Sequence, residues 1–127
     1  MKTGGKFPHQ PKGGKYMGHI ITKEFEELFK NYPTRSQENA TDPLVIAKLF
    51  DNSGTAIWFL LDYNPQHKIS TCYVVGMVQD EPGSVSIEDL EKIQISIFGG
   101  ARIEQDFFFE QKPLSEILQD YRANGSQ

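Results

Sequence analysis

Three apolar runs separated by two turn signals dominate the middle of the chain, in the stretch LVIAKLFDNSGTAIWFLLDYNPQHKISTCYVVGMV from Leu44 to Val78. The first run, Leu44–Phe50, reads as a strand, with Lys48 set against Ala47 and Leu49 as on a half-exposed sheet position. Asp51-Asn52-Ser53-Gly54 is a turn signal, because Asn52 or Gly54 tolerates a positive φ. Thr55–Tyr63 reads as a second strand. Alternation sends Ile57, Phe59, Leu61 and Tyr63 to one face and Ala56, Trp58, Leu60 and Asp62 to the other. Both sets are largely apolar, so this strand is expected at the centre, covered on both sides. Pro65 marks the second turn, and Ile69–Val78 reads as the third strand.

Helical periodicity flanks this meander. Phe25, Leu28, Phe29 and Tyr32 form one stripe over a helix from about Lys23 to Asn31, with Thr22 as N-cap and Pro33 as stop. Gln79–Gly83 reads as a turn, and Ser86-Ile87-Glu88-Asp89 as a capping box opening a short helix to about Ile93. After a break at Gly99-Gly100, a fourth strand is expected from about Arg102 to Phe109. A last helix opens near Pro113 and carries Leu114, Ile117, Leu118 and Tyr121 on one stripe. The expected fold class is α+β, a single domain with an antiparallel meander of about four strands packed with two or three helices. It spans residues 18–122. Residues 1–17, rich in Gly, Pro and Lys, are expected to be a disordered basic arm, and residues 123–127 a frayed tail.

Length and charge narrow the picture. A chain of 127 residues fits one domain with its own core. Cys72 is the single cysteine, so an internal disulfide and two-cysteine metal motifs are excluded and a reducing compartment is expected. No apolar run approaches the ~20 residues needed to span a bilayer. The N-terminal stretch has lysines without an apolar segment, unlike a secretory signal, so the expected location is cytoplasmic. Residues 1–15 carry four lysines and no acid, whereas the remainder carries nine cations against seventeen acids. An acidic body argues against a duplex-binding face, since phosphate binding needs a basic patch. The basic arm is a separate possibility for nucleic-acid contact; the bland alternative is an inert leader with Met17 as the effective start of the domain.

Candidate chemistry is sparse. Glu104 and Asp106 are two apart on the fourth strand, so their carboxylates share a face. Asp62 ends the second strand, and Asp80 and Glu81 sit in a turn. If the fourth strand lies near the second, these acids converge as a hard cation or a general acid–base pair requires. The competing reading is a solvated charged face on an edge strand, which also blocks aggregation. His9, His19 and His67 have no metal-ligand spacing, and Cys72 in mid-strand reads as a small buried apolar residue. Trp58 is either a stacking or anchoring aromatic or part of the core. No glycine-rich phosphate loop or nucleophile-elbow motif occurs, and no cofactor is implied.

The segments ITKEF, LFDNSGTAIWFLLDYNP, YVVGMV, EPGSVSIEDLEKI and RIEQDFFFEQKPLSEI, in that order, resemble the bacterial family of unknown function DUF2958, over roughly residues 20–118. The resemblance implies a small protein carried on plasmids and other mobile elements, and transfers no catalytic residue. Ser84 stands where the family tends to have an aromatic, and Gln105 where it tends to have an arginine between two acids. The expected function is a non-enzymatic accessory protein that binds another macromolecule, in first place a protein, with no membrane association. The candidate binding residues are Trp58, Asp62, Glu81, Glu104 and Asp106, with no catalytic or metal-ligating residue assigned. The alternatives are a metal-assisted enzyme using Asp62, Glu104 and Asp106, and nucleic-acid contact through the arm.

Overall fold

A computed structural model of the chain describes residues 18–124. The elements, in order, are α1 (Lys23–Leu28), β1 (Leu44–Val45), β2 (Ala47–Asp51), β3 (Ile57–Leu60), β4 (Ile69–Val75), β5 (Glu81–Ser86), α2 (Ile87–Glu91), β6 (Gln94–Ser96), β7 (Gly99–Ala101), β8 (Ile103–Gln105), β9 (Lys112–Pro113) and α3 (Leu114–Ala123). Five strands form one antiparallel sheet in the order β5-β4-β3-β2-β8. β6 and β7 make a separate hairpin, and β1 pairs with β9. The α+β class of the sequence reading holds.

β3 is the middle strand, and its two faces fill two cores. Trp58 and Leu60 pack with Phe25 of α1 and its C-cap Phe29, Ile87 and Leu90 of α2, and Ile20, Ile21 and Ile103. Phe59 packs with Ile117 and Leu118 of α3, with Ile57, Leu61 and Tyr121 beside them. A helix whose apolar stripe is only a few residues wide gains its stability from such packing rather than from propensity. The expected alternation fails at one point. Tyr63 leaves the α3 side and packs edge-on against Phe25, with ring centroids 5.1 Å apart. The chain has left the ladder after Leu60, so the period of two no longer applies there.

The caps follow the sequence. The Thr22 hydroxyl accepts from the Phe25 N–H at 3.1 Å, and the Ser86 hydroxyl from the Asp89 N–H at 3.1 Å. α3 has no cap from its own chain start. The Asp42 carboxylate, from the distant loop before β1, accepts from the Ser115 N–H at 2.9 Å and the Ser115 hydroxyl at 2.6 Å. These bonds hold the Asp42 carboxyl below the usual range.

Four expectations are corrected. The sheet has five strands rather than about four, because Glu81–Ser86, whose first half reads as a turn, is an edge strand. Pro82 is compatible with it because its missing N–H faces away from β4. The third strand stops at Val75, so Met77 and Val78 stand in a turn. The fourth strand is short, ends at Gln105, and pairs with β2 rather than β3. The break at Gly99-Gly100 lies inside the β6–β7 hairpin, where both glycines take positive φ. At the C-terminus Ala123 still belongs to α3, and residues 125–127 lie outside the described residues. The basic arm of residues 1–17 lies outside them too.

Candidate functional site

The five sequence candidates do not meet. Trp58 is 8% exposed and lies in the core, out of reach of a base or a partner side chain. Asp62 is 3% exposed. One carboxylate oxygen accepts from the Thr71 N–H at 2.8 Å and the other from the Arg35 N–H at 3.0 Å. Its own carbonyl accepts from the buried Ser70 hydroxyl. Asp62 therefore ties the 33–43 loop to β4 and has a structural task. Glu81 is exposed on β5, at the opposite edge of the sheet from β8. Glu104 is exposed on β8 and accepts from the Asn52 amide. Asp106 accepts from the Phe108 N–H at 2.9 Å, with the Lys48 ammonium at 3.6 Å. Because β8 sits beside β2, β2 separates Glu104 and Asp106 from the β3 strand that leads into Asp62. Among the described residues no group of three or more His, Cys, Asp or Glu side chains is placed to hold a metal ion.

Cys72 faces the core, and burial pushes its thiol up to about 11, so no thiolate is available at neutral pH. On the α1–α2 side the Tyr63 hydroxyl and one carboxylate oxygen of Glu91 are buried without a hydrogen-bond partner among the described residues. The other Glu91 oxygen accepts from the N–H groups of Ile20 and Ile21, both at 2.7 Å, and so anchors the start of the described chain to α2. Burial, followed by the charges of Glu26, Glu91 and Glu88, pushes the Tyr63 hydroxyl far up, so it stays protonated. A buried hydroxyl without a partner carries its desolvation cost uncompensated. Tyr63→Phe is therefore expected to raise stability by about 1 kcal/mol in a urea titration. A loss of stability in that variant would show that the hydroxyl is hydrogen-bonded.

The surface feature that pattern reading missed lies beside β8. The β6–β7 hairpin precedes this strand and presents Ile97 at 90% and Phe98 at 92% exposure. The turn after it presents Phe107 at 72% and Phe108 at 94%. Strand alternation assigned Phe107 and Phe108 to a continuing fourth strand. They are in a turn because the Asp106 carboxylate captures the Phe108 N–H, as a turn-forming aspartate does. The hairpin base is fixed to the β2–β3 turn. Arg102 binds both oxygens of Asp51, at 2.8 and 3.0 Å, and the Asn52 N–H donates to the Arg102 carbonyl at 2.8 Å. Arg102 holds the Asp51 carboxyl below its usual range.

Beside the last residue of β8 runs a groove of about 250 Å³ between α1 and the 105–111 segment. The buried Phe25, Ile46 and Ala47 line its floor and Leu28, Phe107 and Phe109 give it apolar surface, with Glu24, Gln105 and Asp106 also lining it. A second, larger cleft of about 440 Å³ lies over Asp62, Thr71 and Tyr73. Its one buried carboxylate is already taken by backbone donors.

These features define a class: a small α+β protein on one antiparallel sheet, with dispersed surface acids and apolar side chains exposed on both flanks of an edge strand. No helix among the described residues is long and apolar enough to cross a membrane. No curated protein and no solved structure shows a significant match to the chain. The model of the family described as protein of unknown function (DUF2958) matches residues 20–127, and the chain belongs to that family.

Proposed function

We propose that this protein is a non-enzymatic accessory protein that binds another protein, in the bacterial mobile-element setting that the family resemblance implies, and that the β8 side is its binding face. One observation carries the reading: Ile97, Phe98, Phe107 and Phe108 stand in water on the two flanks of a single edge strand. Large apolar side chains held out in this way cost solvation free energy, and on soluble proteins such patches mark interaction surfaces. The dispersed positions of Asp62, Glu104 and Asp106 supply no constellation in which a reacting group could be held.

The test is capture from a bacterial host lysate at modest salt, with the wild-type chain and with a Phe98→Ser, Phe107→Ser variant. A protein retained by the first and lost from the second is the expected result. Identical captures by the two chains, or none by either, would remove the reading.

A further inference from the structure

We infer that the groove between α1 and the end of β8 takes one arginine or lysine side chain from an extended, basic segment of a partner protein. This rests on the reading of the β8 side as the binding face, and specifies what lies there.

The ladder register fixes which backbone groups of β8 face outward. The Asp106 N–H donates to the Lys48 carbonyl at 2.9 Å, and the Asn52 N–H to the Arg102 carbonyl at 2.8 Å. In an antiparallel pair, hydrogen-bonded and non-bonded residue pairs alternate. Glu104 is therefore turned toward Phe50, while the backbone groups of Ile103 and Gln105 are turned to the open side. The Ile103 carbonyl is covered by the His19 ring at 2.8 Å. Gln105 is the position where an added strand would pair, and it also lines the groove. At the other edge of the sheet the same reasoning gives a different result. The Ile87 N–H donates to the Lys68 carbonyl at 2.9 Å, and this register turns Pro82 outward, where it has no N–H to give.

The groove selects the side chain. Its accessible apolar surface, from Leu28, Phe107 and Phe109 over the buried Phe25 and Ile46, suits a methylene stem. Glu24, on the helix wall, suits a cation at the tip, while the Asp106 carboxylate is turned toward Lys48 and the Phe108 N–H. A second copy of this chain is a poor occupant. Antiparallel pairing of two β8 strands about Gln105 would set Glu104 of each opposite Asp106 of the other, and like charges directly opposed destabilise a pair.

The probe is a short capped peptide of alternating valine and threonine with one central arginine, titrated into the isotopically labelled full chain and followed by amide NMR. Saturable shifts are expected at Glu24, Gln105 and Phe107. Affinity should fall about tenfold or more when the central arginine is replaced by glutamine, or when the chain carries Glu24→Gln. Gln105→Pro removes an outward N–H and no bond to β2, so it should abolish the shifts while leaving the melting temperature within a few degrees. Equal binding of the arginine and glutamine peptides, shifts confined to other surfaces, or full binding by a folded Gln105→Pro chain would each overturn the inference. The lysate capture above reads the whole β8 face, including Phe98, which lies outside this groove. A partner found there without arginine-peptide binding would leave the binding face standing and remove only its proposed occupant.

Discussion

Asp62→Ala is expected to lower the stability of this protein by about 3 kcal/mol. The carboxylate is buried and accepts two backbone N–H groups, from Arg35 and Thr71. Truncation leaves both donors without this partner at the floor of the cleft over Asp62 and Thr71, where water replaces only part of the lost bonding. Each lost bond to a charged acceptor is worth roughly 1.5–3 kcal/mol, partly recovered where the loop relaxes into solvent. Arg35 adds to the effect, because it sits at φ 68, a left-handed conformation that costs an arginine energy unless its surroundings hold it there. The bond from its N–H to Asp62 is one of the contacts that hold it. Asp62→Asn keeps one acceptor and turns an NH₂ group toward the second donor, so its loss should be smaller, about 2 kcal/mol. Urea titration of the three chains gives the ordering, and hydrogen exchange at the Arg35 and Thr71 amides shows which bond survives. A loss below about 1 kcal/mol for the alanine variant would mean that these bonds do not hold the loop.

Gly76→Ala is expected to cost about 3 kcal/mol, from two sources that add. Gly76 has φ +80, where a side chain is strained. A Cβ built there lies 2.0 Å from the Thr55 carbonyl oxygen, which is backbone and has no rotamer to move. The close approach is also bonded, since the Thr55 hydroxyl donates to the Gly76 carbonyl and the Gly76 N–H to the Asp80 carboxylate at 3.2 Å. Relief of the clash would have to separate the β2–β3 and β4–β5 turns. Gly83→Ala is the matched control: nothing lies within 4 Å of its Cβ, so a change within about 0.5 kcal/mol is expected. Thermal and urea unfolding of the two variants decide the matter. A Gly76→Ala chain as stable as the control would contradict the geometry of this turn.

Asp62 shows how a functional expectation turned into a structural one. Asp62 stands out in the sequence as the one acid in an apolar strand, a signal shared by catalytic carboxylates and by buried acceptors of backbone donors. Its partners, Arg35 and Thr71, are 27 and 9 positions away, and no local pattern announces such a bond. Glu104 and Asp106 are on one face in both readings. Their neighbours could not be read, because a strand's side-to-side order depends on which edges remain open after the helices have packed. The exposed aromatics were visible as letters, but FFF reads as core until one knows that β8 ends at Gln105 and that Asp106 begins a turn.

The sequence by itself determined the class and the interior. Periodicity placed α1, β2, β3, β4 and α3, the caps Thr22 and Ser86 matched the observed bonds, and the two-faced apolar pattern of β3 put that strand at the centre. These are local properties, written in residues a few positions apart. Only the tertiary structure decided the sheet order, the placement of β8 against β2, the edge role of a strand containing Pro82, and the groove beside Gln105. Each of these is a contact between segments far apart in the chain, chosen by which surfaces remain to be covered once local structure has formed, and that choice leaves no period in the sequence.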